Sequence, residues 1–203
     1  MLIAVDDLRT DLGCYGNTVV QPPHIDKLAS QGVTFTNHFV LVPTCGASRY
    51  NHLTGIRPKT RAQLSNHVIP IEISDKPKND TSESFIHHLK RNGYHTVGID
   101  KISHSADGLL YEYNENPSEK RELPHSWSEL SFNSDKWETG WNAFFGYANG
   151  ENKQSLNKNA KPYEAGNVND VGYPDGLTTQ LAISKLKDLK SQNKPFFLGV
   201  GFF

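Results

Sequence analysis

Leu2-Ile3-Ala4-Val5-Asp6-Asp7 opens the chain as a short apolar run closed by two adjacent carboxylates. A strand covered on both faces of a parallel sheet reads as an unbroken apolar run, and sites form where such strands end. Asp6 and Asp7 are therefore expected at the mouth of a site. Working outward, Pro22 to Gln31 reads as a helix with proline at its start and Gly32 as its stop. Val33, Phe35, Asn37 and Phe39 alternate with Thr34, Thr36 and His38, a strand pattern. A second helix is expected from Ser82 to Asn92, ended by Gly93 and followed by a strand from Tyr94 to Ile99. Thr178 to Ser191 forms a third, with Leu181, Ile183, Leu186 and Leu189 as its apolar stripe, and Pro195 to Phe203 closes the chain as a buried strand. Strands alternating with helices predict an α/β fold, a mostly parallel sheet sandwiched by helices.

Residues 103–176 break this rhythm. They are rich in Asn, Ser, Glu and Pro and contain Trp127, Trp137 and Trp141, all the tryptophans of the chain. Long irregular excursions are usually functional or disordered, and the aromatics argue against disorder. The segment is expected to form an irregular lobe inserted over the sheet edge, either shaping a substrate pocket or standing as a surface insertion.

Composition narrows the function classes. The chain has 203 residues, and 21 basic side chains are scattered among 22 acidic ones for a net charge of −1. It has no electrostatic footprint for a polyanion track, so no nucleic acid is expected as partner. No window reaches the apolar length of a membrane span. No charged leader precedes an apolar stretch, and Met1 abuts the first strand, so a piece of a longer protein is expected. Cys14 and Cys45 are the only cysteines and form no CxxC or zinc-like array. Spacing leaves a disulfide between them open, and Cys14 is expected to be a small buried hydrophobe.

The densest chemistry lies in Cys45-Gly46-Ala47-Ser48-Arg49, followed by Thr54-Gly55. A thiol, a hydroxyl and a guanidinium within five residues suggest a nucleophile beside an anion clamp. With Asp6 and Asp7 as a hard-metal site, this is chemistry for an oxyanion ester. The phosphate loop of cysteine phosphatases does not fit, because it needs arginine two positions beyond Arg49, where Asn51 stands. The run does match the sulfatase signature, Cys-x-Pro/Ala-Ser-Arg with Thr-Gly after four more residues. The chain thus resembles the formylglycine-dependent sulfatases of the alkaline phosphatase superfamily. Further stretches are similar to the iduronate 2-sulfatase-like branch: Val5 to Arg9, Leu12 to Gly16, Ile25 to Ser30, Phe35 to Phe39, Leu53 to Thr60 and Pro195 to Gly201.

The resemblance implies an alkaline phosphatase-like sulfatase core, here its N-terminal part over residues 1–203 and hence incomplete. It also implies a sulfuric ester hydrolase acting on a sulfated sugar or polysaccharide, such as a glycosaminoglycan. In that family the cysteine is oxidised to formylglycine by a maturation enzyme. One hydroxyl of its hydrate attacks sulfur, and the second later expels sulfate. Residue 45 would be the nucleophile, with Arg49 holding the hydrate. Lys101 would bind a sulfate oxygen and His104 would help remove a proton. Asp6, Asp7 and residue 45 would ligate one Ca2+, a cation suited to an all-oxygen site. His52, His67, His87 and His88 match no position of the family pattern. The family's later Lys-Pro-His segment and second acidic metal pair are not among these residues, so the 203 residues alone are expected to be inactive.

Two other readings remain at this stage. One is another esterase of the superfamily, a choline-type sulfatase or a phosphonate ester hydrolase. The other is a non-catalytic carbohydrate-binding relic that never matures Cys45. Family analogy places the protein outside the cytoplasm, in periplasm, lysosome or extracellular space. Asn79-Asp80-Thr81 fits a glycosylation acceptor but is too common a pattern to fix the host.

Overall fold

The computed structural model describes residues 1–203. Strands β1 (Leu2–Val5), β2 (His95–Ile99), β3 (Glu129–Ser131) and β4 (Phe196–Phe202) form one sheet in the order β1-β4-β2-β3. All pairings are parallel, with Leu2 opposite Gly199, Thr96 opposite Phe197 and Val97 opposite Glu129. Parallel neighbours require crossovers. The chain supplies helices for them: α1 (Pro23–Gln31), α2 (Cys45–Thr54), α3 (Phe85–Arg91), α4 (Gly140–Phe144) and α5 (Pro174–Ser191).

Alternation along β4 sorts the two faces of the sheet. Leu198 and Val200, with Val97 and Ile99 of β2, pack on Ala182 and Leu189 of α5. Phe197 points the other way, into a larger core with Ala47, Tyr50 and Leu53 of α2, Ile86 of α3, and Trp127. Gly98 and Gly199 are register partners on that second face, and a Cβ on either would lie 3.0–3.2 Å from the Trp127 ring. The paired glycines leave the sheet bare where the indole lies against it. On the α5 side the burial falls on Leu177, Thr178, Ala182 and Leu189. Ile183, expected in the apolar stripe, is 52% exposed. Two residues beyond Leu181 it sits about 200° around the helix, facing away from the sheet.

Three other expectations fail locally. Residues 33–39 form no strand. Their alternation is genuine, but no neighbouring strand is placed to accept their hydrogen bonds, and Val33, Phe35 and Phe39 face solvent. β1 is covered on one face only: Leu2 and Ala4 pack on the main core, whereas Ile3 and Val5 are exposed, since α5 packs chiefly on β4 and β2. Cys14 is half-buried rather than core. Its N–H donates to Asp26 Oδ1 at 2.7 Å, and both cysteines are free thiols.

Residues 103–176 are mostly irregular yet ordered by their aromatics. Trp127, Trp137 and Trp141 are all buried. The Trp137 indole N–H donates to the Tyr147 carbonyl at 3.1 Å and that of Trp141 to the Tyr111 carbonyl at 2.7 Å, so burial costs neither ring its hydrogen bond. The segment also supplies β3, the fourth strand, which the sequence pattern does not reveal. No helix is long and apolar enough to cross a membrane.

Candidate active site

α2 begins at Cys45, after an extended Thr44, so the thiol sits on the first turn of the helix. Arg49, four residues on, lies one turn later on the same face. Ala47, Tyr50 and Leu53 are buried in the core and fix the helix against the sheet. At its far end Thr54 Oγ1 donates to the Tyr50 carbonyl at 2.7 Å and accepts the Ile56 N–H at 3.2 Å. Gly55 follows with φ +69°, its N–H on the Asn51 carbonyl. The Thr-Gly end of the motif is thus a helix stop of the left-handed kind. Gly46 has a different reason. Its N–H donates to Asn66 Oδ1 at 2.8 Å, and a Cβ there would lie 2.5 Å from the Asn66 carbonyl oxygen.

Asp6, at the end of β1, is the centre of the charge arrangement. Its Oδ1 lies 3.2 Å from Arg49 and its Oδ2 3.4 Å from Lys101 Nζ. Cys45 Sγ is 3.9 Å from Asp6 Oδ2. Lys101 is wholly buried just past β2 and donates to the His104 carbonyl at 3.0 Å. Arg49 also donates to the carbonyls of Lys101 and Ile102. Gly201 permits this crossing, since a Cβ there would lie 2.3 Å from the Lys101 backbone. Buried Lys101 and half-buried Arg49 share one carboxylate beside the thiol at a helix N-terminus. That is a setting for an oxyanion.

His104 is held neutral at pH 7. Burial first, then the Lys101 charge, pushes its pKa down from 6.5 to about 4, against which the Asp6 charge is a minor opposing influence. Its Nδ1 is buried with no partner. Such an imidazole is available to accept a proton.

Cys45 lies where two cavities meet. One, of about 650 Å³, is lined by Asp6, Asp7, Ser48, Arg49 and His52. The other, of about 670 Å³, is lined by Lys101, His104, Asn66, His67 and an aromatic wall that includes Tyr113 and Trp141. Those two rings are 4.7 Å apart. Asp7 reaches the first cavity but is exposed and makes no ion pair, and its backbone has φ +52°. Asp6, Cys45, Arg49, Lys101 and His104 are therefore brought together, with Asp7 at their edge. Asn66 and His67 were not singled out by sequence as site residues, because neither falls in a motif. Glu122 was missed too: it is buried under the second cavity, with its carboxyl raised by burial and its Oε2 accepting the Ser105 N–H at 2.7 Å.

The donor chemistry suits a hard cation in part. Asp6 and Asp7 offer carboxylate oxygens into one cavity beside residue 45. No three His, Cys, Asp or Glu side chains gather into a metal-binding group, and both Asp6 oxygens already face cations.

A family model, Sulfatase, matches residues 1–202. The chain belongs to the sulfatase family. Mouse (Mus musculus) iduronate 2-sulfatase is 31% identical over the whole chain, which corresponds to 34% of that protein's length. This sulfatase chain thus spans about a third of the curated relatives that it matches throughout. Among solved structures, Ps i-CgsB in complex with k-i-k-neocarrahexaose shares the fold, with a TM-score of 0.56 at 18% identity, over 99% of this chain and 44% of that one. BT4656 with its substrate D-glucosamine-2-N,6-O-disulfate aligns with a TM-score of 0.52 at 23% identity, over 99% of this chain and 33% of that one. The parallel sheet and flanking helices are the N-terminal part of the alkaline phosphatase-like sulfatase fold.

Proposed function

We propose that this chain contributes the nucleophile and the sulfate-binding half of a sulfuric ester hydrolase acting on a sulfated sugar or polysaccharide. The observation behind this reading is the Asp6 bridge between Arg49 and Lys101, with Cys45 at the helix N-terminus beside it. The names of the relatives, an iduronate 2-sulfatase and proteins in complex with k-i-k-neocarrahexaose and D-glucosamine-2-N,6-O-disulfate, support the carbohydrate class.

In this reading the sulfate group enters beside Cys45. Lys101 offers a point charge to one sulfuryl oxygen, and Arg49 adds charge while orienting residue 45. Neutral His104 would accept a proton from residue 45 once that residue carries a hydroxyl. Tyr113, Trp141 and their neighbours in the lobe of residues 103–176 form the wall against which the sugar lies. Converted by a formylglycine-generating enzyme, residue 45 would supply a carbon bearing two hydroxyls, one for attack on sulfur and one for release of sulfate. Ca2+ held by Asp6 and Asp7 would add positive charge at the same place. With no complete group of metal ligands among them, the 203 residues by themselves are expected to hydrolyse no sulfate ester detectably. A sulfated polysaccharide substrate places the protein outside the cytoplasm.

Paired sulfate and phosphonate monoesters of the same alcohol, given to the intact protein, test the reading. Faster cleavage of the sulfate, abolished in Cys45→Ala, is expected. Preferred cleavage of the phosphonate would favour the other branch of the superfamily, and carbohydrate binding without turnover would favour a non-catalytic role.

A further inference from the structure

A cavity with a cationic lining lies away from Cys45. Lys78, His87, Lys90, Arg91, Pro124 and His125 line a cavity of about 300 Å³ that shares no residue with the two cavities around the thiol. It contains no acidic side chain. Glu83, the nearby carboxylate, is engaged by the Arg91 guanidinium through both oxygens. Lys90 Nζ and Arg121 both donate to a single acceptor, the Trp127 carbonyl, at 2.6 and 3.0 Å. Burial first, then the charges of Arg121 and Lys78, push the Lys90 ammonium below its usual range, as expected where cations crowd without counter-charge.

Two imidazoles complete the cluster. His87 is 7% exposed, and its ring lies 5.8 Å from that of His125. The Nε2 atoms of both rings are buried without a hydrogen-bond partner. Buried polar atoms are normally satisfied, yet this unpartnered pair lies in one cavity with Lys78, Lys90 and Arg91. The surrounding positive charge rules against a metal cation there and favours a compact oxyanion.

Position narrows the ligand. Lys90 is in the last turn of α3, and Trp127 precedes β3, so the cluster sits at the amino ends of the parallel strands. Cys45, Asp6 and Lys101 sit at their carboxyl ends, about 15 Å away along the five residues of β2. One sugar residue cannot reach both. We infer that this cluster is an exosite for the sulfate groups of a sulfated polysaccharide, holding the polymer while another residue of it, or another chain, occupies the Cys45 cavity. The ligand class rests on the proposed hydrolase reading, whereas the oxyanion site itself does not.

The test uses the intact protein and Lys78→Glu, a change at an exposed side chain. A sulfated hexasaccharide, its desulfated counterpart, inorganic phosphate and a short RNA are titrated calorimetrically, while NMR follows the His87 and His125 imidazole signals. Expected are shifts of both signals with the sulfated sugar alone and about tenfold weaker binding in Lys78→Glu. Turnover of a small aryl sulfate should be unchanged. Unmoved imidazole signals, or undiminished affinity in the variant, overturn the exosite. Tighter binding of phosphate or RNA than of the sulfated sugar overturns the ligand. If no sulfate ester is hydrolysed but Lys78-dependent binding of the sulfated sugar persists, the hydrolase reading fails and the exosite stands.

Discussion

Asp6 holds buried Lys101 and half-buried Arg49 at once, and removing its charge would leave both without their ion-pair partner. Breaking a buried pair on one side is expensive. Asp6→Asn is expected to lower the unfolding free energy by about 2–4 kcal/mol, read by urea denaturation. Asp100 behaves oppositely. It is buried with φ +56°, accepts a hydrogen bond from Thr178, and burial raises its pKa from 3.8 to about 7. A carboxyl whose folded pKa lies above its unfolded value binds more protons when folded, so stability is lost as pH rises from about 4 to about 7. Asparagine tolerates positive φ and needs no charge. Asp100→Asn should therefore flatten that pH dependence and stabilise the protein at pH 8 by about 1–3 kcal/mol. At this scale, the motif marks Cys45 and Arg49, the strand end marks Asp6, and the family resemblance alone marks Lys101, and the fold brings the four together. Asn66, His67 and Glu122 were not, because residues far apart in sequence meet around the thiol only through the fold.

At the scale of elements, α2 is the unit that turns a motif into geometry. Its start presents the thiol, its second turn the guanidinium, and Thr54-Gly55 ends it. The glycine at position 46 lies against the Asn66 backbone. Gly46→Ala is expected to cost about 1–3 kcal/mol and to displace the first turn of α2, lowering turnover more than substrate affinity. Thermal unfolding and a kcat against KM comparison check both parts. β2, β4, α1 and α5 were legible within a few residues, because length and apolar pattern suffice for buried strands and capped helices. Residues 33–39 show the limit of such patterns: alternation states which side chains would share a face, but a strand exists only if a partner strand is there. β3, three residues long, carries no pattern of its own and is fixed by its pairing with β2.

For the whole molecule, the sheet organises charge and apolar surface on a simple plan. The carboxyl ends of the strands gather the Cys45 site, and the amino ends gather the cationic cluster around His87. Between the end of β1 and the start of α2, Val19, Leu28, Val33, Phe35, Phe39 and Val40 are more than 40% exposed. Exposed apolar side chains in such number favour association. The 203-residue polypeptide on its own is expected to bind a hydrophobic dye and to self-associate at micromolar concentration, as light scattering would show. A monodisperse, dye-silent monomer would contradict that. The measurement closest to the central claim is mass spectrometry, with aldehyde-reactive labelling, of the peptide spanning Cys45 in protein from its native host. A formylglycine at position 45 is predicted. An unmodified thiol throughout an otherwise active, sulfate-releasing preparation would contradict the account.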